Sequence, residues 1–94
     1  MKVRYSARAA ADLATIHQYL SERSPTGAAK VMAAILAAVE FVRRHPHGAE
    51  KTNIPGVQGK VVKKYRFKVF YRVGDDVIEI VHVRHTSRRA WQGE

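Results

Sequence analysis

The chain has 94 residues and carries 17 Lys and Arg against 8 Asp and Glu, a formal net charge of +9. This length suits a single domain, because one hydrophobic core typically spans about 50–200 residues, and it excludes a cleft between two lobes. The absence of cysteine excludes a disulfide framework and a thiolate nucleophile or metal ligand. Small secreted domains usually need such cross-links, so the composition favours a cytoplasmic protein.

The basic balance indicates an acidic partner, which could be nucleic acid, an acidic protein or a membrane surface. The longest uncharged apolar run, residues 31–39, is well short of the roughly 18 residues that cross a bilayer. Residues 1–6 lack the apolar stretch of a signal peptide. We therefore expect no membrane partner. Because the positive excess is larger in residues 51–94, we expect the functional surface in that half.

The first half of the chain predicts a short strand and two helices. Residues 2–5 alternate polar and apolar side chains, and Ser6 is positioned to cap the helix that follows. Apolar residues then recur at helical spacing to about residue 23, and again from Ala28 to Val42. The breakers Ser24-Pro25-Thr26-Gly27 separate the two runs, so we expect an antiparallel helical hairpin over about 6–44.

The second half predicts a loop and a sheet. Residues 45–59 are rich in turn formers, and from residue 60 the apolar period changes to two. The odd-numbered apolar positions, beginning with Val61, are expected to face the core. The stretch to residue 73 is too long for one strand, so we expect a bend near Lys63 and Lys64 and a sheet over about 60–85.

A tight turn at residues 74–76 would join the last two strands. It would place Ile78 and Ile80 on the core face, and Glu79 on the opposite face near Arg72. Residues 86–94 are expected to form a basic tail. The whole chain is thus predicted to be one α+β domain over 1–94, with a short N-terminal strand, an antiparallel two-helix hairpin and a C-terminal antiparallel meander of about three strands. Both helices should cover one face of the sheet.

A row of basic residues at even positions is the first candidate site: Lys64, Arg66, Lys68 and Arg72. On a regular strand these side chains would lie on one face, roughly 6–7 Å apart. That spacing is similar to successive phosphates of one nucleic acid strand, and such a row concentrates polyanions. The alternative is a solvated face that protects the sheet from aggregation.

The segment from His82 to Trp91 is the second candidate site. Its imidazole, guanidinium and indole groups could transfer a proton, bind a phosphate and stack on an RNA base. The alternative is a flexible basic C-terminus whose Trp91 covers the end of the sheet.

Histidines do not predict a metal site. His45 and His47 flank a proline without a third ligand nearby, and His82 and His85 differ in parity, so on a regular strand they face opposite ways.

Carboxylates do not predict a catalytic pair either. Asp75 and Asp76 fit a turn, and Asp12 fits a solvated helix face. If the chain uses a general acid or base, His85 and Glu50 are the candidates.

Segments across nearly the whole chain match a known pattern in their order and spacing. They are residues 3–13, residues 16–20, residues 46–48, residues 55–59, residues 65–73, residues 77–85 and Arg88. In this order they resemble the RelE/ParE superfamily of bacterial toxins from type II toxin–antitoxin modules. No single segment is very specific, but the combination is.

The resemblance implies one of two activities. RelE-like members cut mRNA on the ribosome without a metal, using Arg, Lys and Tyr or sets of Glu, His and Tyr, whereas ParE-like members poison DNA gyrase and are not known to need a catalytic set. No Tyr follows Tyr71, so the C-terminal Tyr of the cleaving branch is missing, with Trp91 roughly in its place. The Ala-rich first helix and the hairpin at residues 71–76 are more ParE-like.

The resemblance therefore implies a toxin, associated with plasmid stabilisation, that inhibits DNA gyrase by protein–protein contact and needs no cofactor. A cognate acidic antitoxin would neutralise it, and operator DNA would be bound only through the antitoxin complex. The expected target-binding residues are Lys64, Arg66, Lys68, Arg72, Arg84, His85 and Arg88. The alternative is a metal-independent, ribosome-dependent mRNA endoribonuclease that uses Arg66, Arg84 and His85. A basic binding module with another target is the third possibility.

Overall fold

The computed structural model describes residues 1–87, and Arg88 and Trp91 lie outside the described residues. The elements in chain order are β1 (Lys2–Tyr5), α1 (Ala7–Ser21), α2 (Pro25–Arg44), β2 (Glu50–Lys51), β3 (Gln58–Val62), a 3₁₀ turn (Lys63–Tyr65), β4 (Phe67–Val73) and β5 (Val77–His85). The strands form one sheet in the order β1-β5-β4-β3-β2. β1 runs parallel to β5, and the other neighbours are antiparallel. The predicted α+β class is confirmed.

Serine side chains fix the starts of both helices. Ser6 Oγ accepts the N–H of Ala9 at 3.0 Å, and Ser24 Oγ accepts the N–H of Gly27 at 3.0 Å. Pro25 occupies the first turn of α2, where its missing N–H removes no helical hydrogen bond. The predicted break over residues 24–27 is therefore too long, because residues 25–27 already belong to α2.

One hydrophobic core lies between the helices and one face of the sheet. Its buried residues are Ala9, Val31, Ile35, Ala38, Val39, Val42, Val62, Phe67, Val69, Tyr71, Ile78, Ile80 and Val83. The prediction that both helices cover the same face is confirmed. By length and composition alone, α2 could cross a membrane, and its buried face in this core accounts for its apolar character.

The predicted bend between β3 and β4 is the 3₁₀ turn, which changes the parity of the buried residues. Arg66, directly after the turn, has a left-handed backbone with φ 58° and ψ 41°. Upstream of the turn Val62 is buried, while Val61 is 36% exposed. The prediction that Val61 faces the core is wrong, because the alternation of β4 does not continue through the turn into β3.

The β4–β5 hairpin has the predicted register at its tip. Val73 lies opposite Ile78, and Arg72 lies opposite Glu79. The predicted loop before the sheet contains the short strand β2, in which Glu50 pairs with Gly59. Two residues are too few for an alternating pattern, so this strand leaves no signal in the sequence.

Candidate functional site

The outer face, the side of the sheet away from the helices, carries basic side chains around a buried aromatic ring. Lys68 and Arg84 lie opposite each other on β4 and β5. Lys68 Nζ is 5.3 Å and the guanidinium carbon of Arg84 5.6 Å from the ring centroid of Phe70. Such cation–π contacts contribute about 0.5–2 kcal/mol each. Phe70 is the apolar residue among the mostly basic even-numbered positions of this stretch, and at 3% exposure it is the buried centre of this face.

Gly59 of β3 makes room for Lys68. Gly59 lies opposite Phe70, and a Cβ atom at this position would overlap Cε of Lys68. The stem of Lys68 therefore crosses the bare backbone of Gly59 on its way to the aromatic ring.

β5 contains a bulge beside Phe70. Tyr71 pairs with Ile80, whereas its neighbour Phe70 pairs with His82, so Val81 is the additional residue on β5. The rings of His82 and Phe70 stack with centroids 5.6 Å apart and an interplanar angle of 26°.

The bulge reverses the parity of the second half of β5, because successive side chains on a strand point to opposite faces. Ile80 is fully buried in the core before the bulge, and Val83 is buried in the core after it. Arg84 consequently lies on the outer face opposite Lys68. His85 lies on the helix side, where its ring meets Phe67 edge-on with centroids 5.2 Å apart.

Asp12 of α1 binds the bulge from the side of the sheet. One of its oxygens, Oδ2, accepts hydrogen bonds from Nδ1 of His82 at 2.6 Å and from the backbone N–H of Val83 at 3.0 Å. Its other oxygen, Oδ1, is 3.5 Å from Nε of Arg8. The expectation that Asp12 lies on a solvated helix face is wrong. Its spacing of three from the core residue Ala9 would be the signal that places it at the edge of the buried stripe.

Ser6, six residues before Asp12, binds the same bulge. Its N–H donates to the carbonyl oxygen of Ile80 at 2.9 Å, and its Oγ donates to the carbonyl oxygen of Val81 at 3.2 Å. The same Oγ accepts the N–H of Ala9 as the helix cap. Because β1 pairs with β5 only over Val77–Ile80, Ser6 and Asp12 continue the hydrogen bonding of this edge where β1 stops.

The environment of His82 favours its neutral form. Burial lowers the pKa of His82, and this effect outweighs the hydrogen bond to Asp12, which acts in the opposite direction. The positive charges of Arg8 and Arg84 lower this pKa further. A carboxylate can only accept a hydrogen bond, so Nδ1 of the neutral His82 carries the hydrogen and donates the hydrogen bond to Asp12.

Most of the predicted target-binding residues meet where β4 begins and β5 ends. This basic corner consists of Lys64, Arg66, Lys68, Arg84 and His85. The two strands are joined here by the N–H of Thr86, which donates to the carbonyl oxygen of Arg66 at 2.7 Å.

The predicted row along one strand is wrong, although its residues lie close together. Lys64 is in the 3₁₀ turn and Arg66 follows it in a left-handed conformation, so neither belongs to the regular alternation of β4. Arg72 lies at the other end of β4, opposite Glu79, which pairs with Arg4 at 3.4 Å. Arg72 is therefore separate from the basic corner.

The candidate acid–base residues do not meet. Glu50 on β2 is three strands away from β5, which is about 14 Å at ordinary strand spacing. Nδ1 of His85 accepts the N–H of Ser87 at 3.2 Å and contacts the Ser87 hydroxyl. Arg84 and His85 point to opposite faces of the sheet. Among the described residues, the ribonuclease candidates thus share a corner without forming a proton-transfer pair.

Comparison with known proteins identifies the family. The model of the family described as "ParE toxin of type II toxin-antitoxin system, parDE" matches residues 3–90. The chain belongs to the ParE toxin family. This ParE-family protein is therefore a type II toxin of the RelE/ParE superfamily, and the resemblance inferred from its sequence is confirmed.

Solved structures agree with this assignment. This ParE-family toxin is similar to a chain of the chromosomal ParDE TA system from P. aeruginosa, with a TM-score of 0.78 and 26% identity, covering 90% of this chain and 95% of that one. It also has the fold of the YoeB dimer from Staphylococcus aureus, with a TM-score of 0.60 and 17% identity, covering 87% and 92%. Among curated proteins, none is significantly similar in sequence.

Proposed function

We propose that this toxin inhibits DNA gyrase by protein–protein contact through its basic corner and needs no cofactor. The family match over residues 3–90 carries this proposal, since the resemblance assigns gyrase poisoning to ParE-like members. The geometry supports it as well. The corner offers several cations for an acidic surface.

We propose further that a cognate acidic antitoxin neutralises the toxin in the cytoplasm and alone brings the complex to operator DNA. The similar P. aeruginosa structure is a ParDE system, and the net charge of +9 suits an acidic partner. A partner that binds only the folded toxin raises its melting temperature by mass action. The complex should also weaken with added salt. Equal melting temperatures with and without the neighbouring acidic protein would contradict this part of the proposal.

Gyrase supercoiling with purified toxin tests the target. The wild type should block supercoiling, and Arg66→Glu or Lys64→Glu should raise the half-inhibitory concentration about tenfold or more, equivalent to about 1.4 kcal/mol of binding. Lys2→Glu is the matched control, because Lys2 is exposed and lies opposite Val77, at the other end of β5 from the corner, and the charge change is the same. A folded Arg66→Glu variant that inhibits as strongly as the wild type would contradict the proposal.

Cleavage of mRNA on translating ribosomes tests the alternative activity. The wild-type toxin should leave ribosome-bound mRNA intact, and His85→Gln should keep most of the gyrase inhibition. Codon-phased cleavage that disappears in His85→Gln would instead establish the metal-independent ribosome-dependent endoribonuclease, with Arg66 and Arg84 as its phosphate ligands.

A further inference from the structure

We propose that Asp12 is a positioning residue that sets the register of the second half of β5 and thereby holds Arg84 on the outer face. The register is a property of the fold. Only its consequence for inhibition rests on the proposed function, through the place of Arg84 in the basic corner.

Two registers are available to β5 after Ile80. In the bulged register, Lys68 lies opposite Arg84. Without the bulge, regular pairing continued from Tyr71 and Ile80 would place Val83 opposite Lys68, and Arg84 would turn to the helix side. The choice of register therefore decides whether the guanidinium group belongs to the basic corner.

The apolar pattern of β5 specifies this choice weakly. Val81 and Val83 share one parity while Ile78 and Ile80 share the other, so β5 offers apolar side chains to both faces. A one-residue slip exchanges the faces of all later residues. An interaction outside the strand can therefore strengthen the preference for one arrangement.

Asp12 recognises two groups that only the bulged register brings together. The N–H of Val83 and Nδ1 of His82 converge on a single oxygen, Oδ2, at 3.0 and 2.6 Å. The backbone of Ile80 faces the β1 edge, where its carbonyl oxygen accepts the N–H of Ser6. Alternate residues of a regular antiparallel strand face the same edge, so without the bulge the N–H of Val83 would face β4 and could not reach Asp12. Both groups are buried and need an acceptor when the bulge forms.

The same contact orients the aromatic centre of the outer face. His82, held by Asp12, stacks on Phe70, and the ring of Phe70 lies within 5.6 Å of the Arg84 guanidinium carbon. A side chain of α1 thus acts on the basic corner through the intervening rings, without being part of that corner.

Paired cysteines can report the register directly, because the natural chain has none. Residues directly opposite on antiparallel strands have Cβ atoms about 4.5–5.5 Å apart, close enough for a disulfide after small adjustments. The double variant Lys68→Cys/Arg84→Cys reports the bulged register, and Lys68→Cys/Val83→Cys reports the bulge-free one. Each pair is oxidised in the full chain with Asp12 present or replaced, and the cross-linked fraction is measured by mass spectrometry.

With Asp12 present, the 68–84 cross-link should exceed the 68–83 cross-link at least fivefold. In Asp12→Ala this preference should reverse. Asp12→Asn should rescue the 68–84 cross-link, since its amide oxygen can accept both hydrogen bonds. Glu22→Ala, which removes an exposed acid at the end of α1, should leave the preference unchanged. Predominance of the 68–84 cross-link in Asp12→Ala, or loss of both cross-links in a folded chain, would overturn the proposal.

Amide exchange in the wild-type toxin provides a test that does not depend on whether Asp12→Ala folds. The N–H of Val83 should exchange at least tenfold more slowly than an unstructured amide, although β1 does not reach it. Exchange at the unstructured rate would overturn the proposal. Gyrase inhibition is read separately: if the cross-links and exchange behave as expected while the wild type fails to block supercoiling, only the proposed function is wrong.

Discussion

The hydroxyl group of Tyr71 donates a hydrogen bond of 2.8 Å to the backbone carbonyl oxygen of Pro46. This contact ties the middle of the sheet to the loop that follows α2. The side chain of Tyr71 is fully buried, and burial raises the pKa of its hydroxyl. The hydroxyl therefore remains a protonated donor throughout the neutral range.

Removing this hydroxyl should destabilise the domain without changing its core. Tyr71→Phe keeps the ring but leaves a carbonyl group without its partner, and we expect a loss of about 1–2 kcal/mol in the free energy of unfolding. Urea denaturation measures the change. The matched control is Tyr19→Phe, because Tyr19 is 51% exposed and should change stability by less than about 0.5 kcal/mol. Equal effects of the two substitutions would contradict the role assigned to the Pro46 contact.

Ser6 should contribute more to stability than the corresponding cap of α2. Ser6→Ala removes a helix cap, worth about 1 kcal/mol, and also the hydrogen bond to Val81, worth about another 1 kcal/mol. Ser24→Ala removes a cap alone. Thermal or urea denaturation of the two variants gives the comparison. A larger loss for Ser24→Ala would argue against a contact between Ser6 and the bulge in solution.

The stability of the toxin should fall on mild acidification because of His82. Burial lowers the pKa of this histidine in the folded chain below its value of about 6.5 in the unfolded chain. The unfolded chain therefore binds the proton first, and stability falls as the pH drops from about 6.5 towards the folded-state pKa. His82→Asn keeps a donor for Asp12 that does not titrate. Unfolding free energies between pH 7.5 and 5 should show a smaller decline in this variant than in the wild type, and equal declines would contradict the assignment.

Gly59→Ala should disturb the outer face without changing the stability of the fold. The new methyl group overlaps Cε of Lys68, which is the far end of a flexible side chain and can move at little cost. We expect a change in unfolding free energy within about 0.5 kcal/mol, but displacement of Lys68 Nζ from Phe70. Gyrase inhibition should weaken in the same direction as in Lys68→Met, which removes the charge of Lys68 while retaining Gly59. Full inhibition by both variants would show that Lys68 does not contact the target.

The elements that depend on local signals were predictable from the sequence. Ser6 caps α1 as expected, and Ile78 and Ile80 lie in the core as the tight turn predicts. These features depend on a few neighbouring residues. Val61 was misplaced because the 3₁₀ turn interrupts the alternation on which its assignment rested.

The site was only partly predictable, because its arrangement depends on contacts distant in sequence. The bulge at Val81 leaves no clear signal, since apolar residues occupy both parities of β5. Asp12 meets His82 across 70 positions of the chain, and nothing near Asp12 in the sequence indicates that partner. The basic residues of the corner could be predicted from the sequence, whereas their arrangement could be described only from the fold.

The left-handed backbone at Arg66 has a consequence for selection. A non-glycine residue in this conformation costs about 1–2 kcal/mol, so Arg66→Gly would relieve strain while it removes a charge from the basic corner. Most inactivating substitutions in a small domain weaken its fold, but this one is expected to strengthen it. Sequencing of cells that survive unneutralised toxin should therefore recover Arg66→Gly often. Such survivors would still produce a folded protein that binds the antitoxin. One substitution would thus convert the toxin into an inactive competitor for the antitoxin.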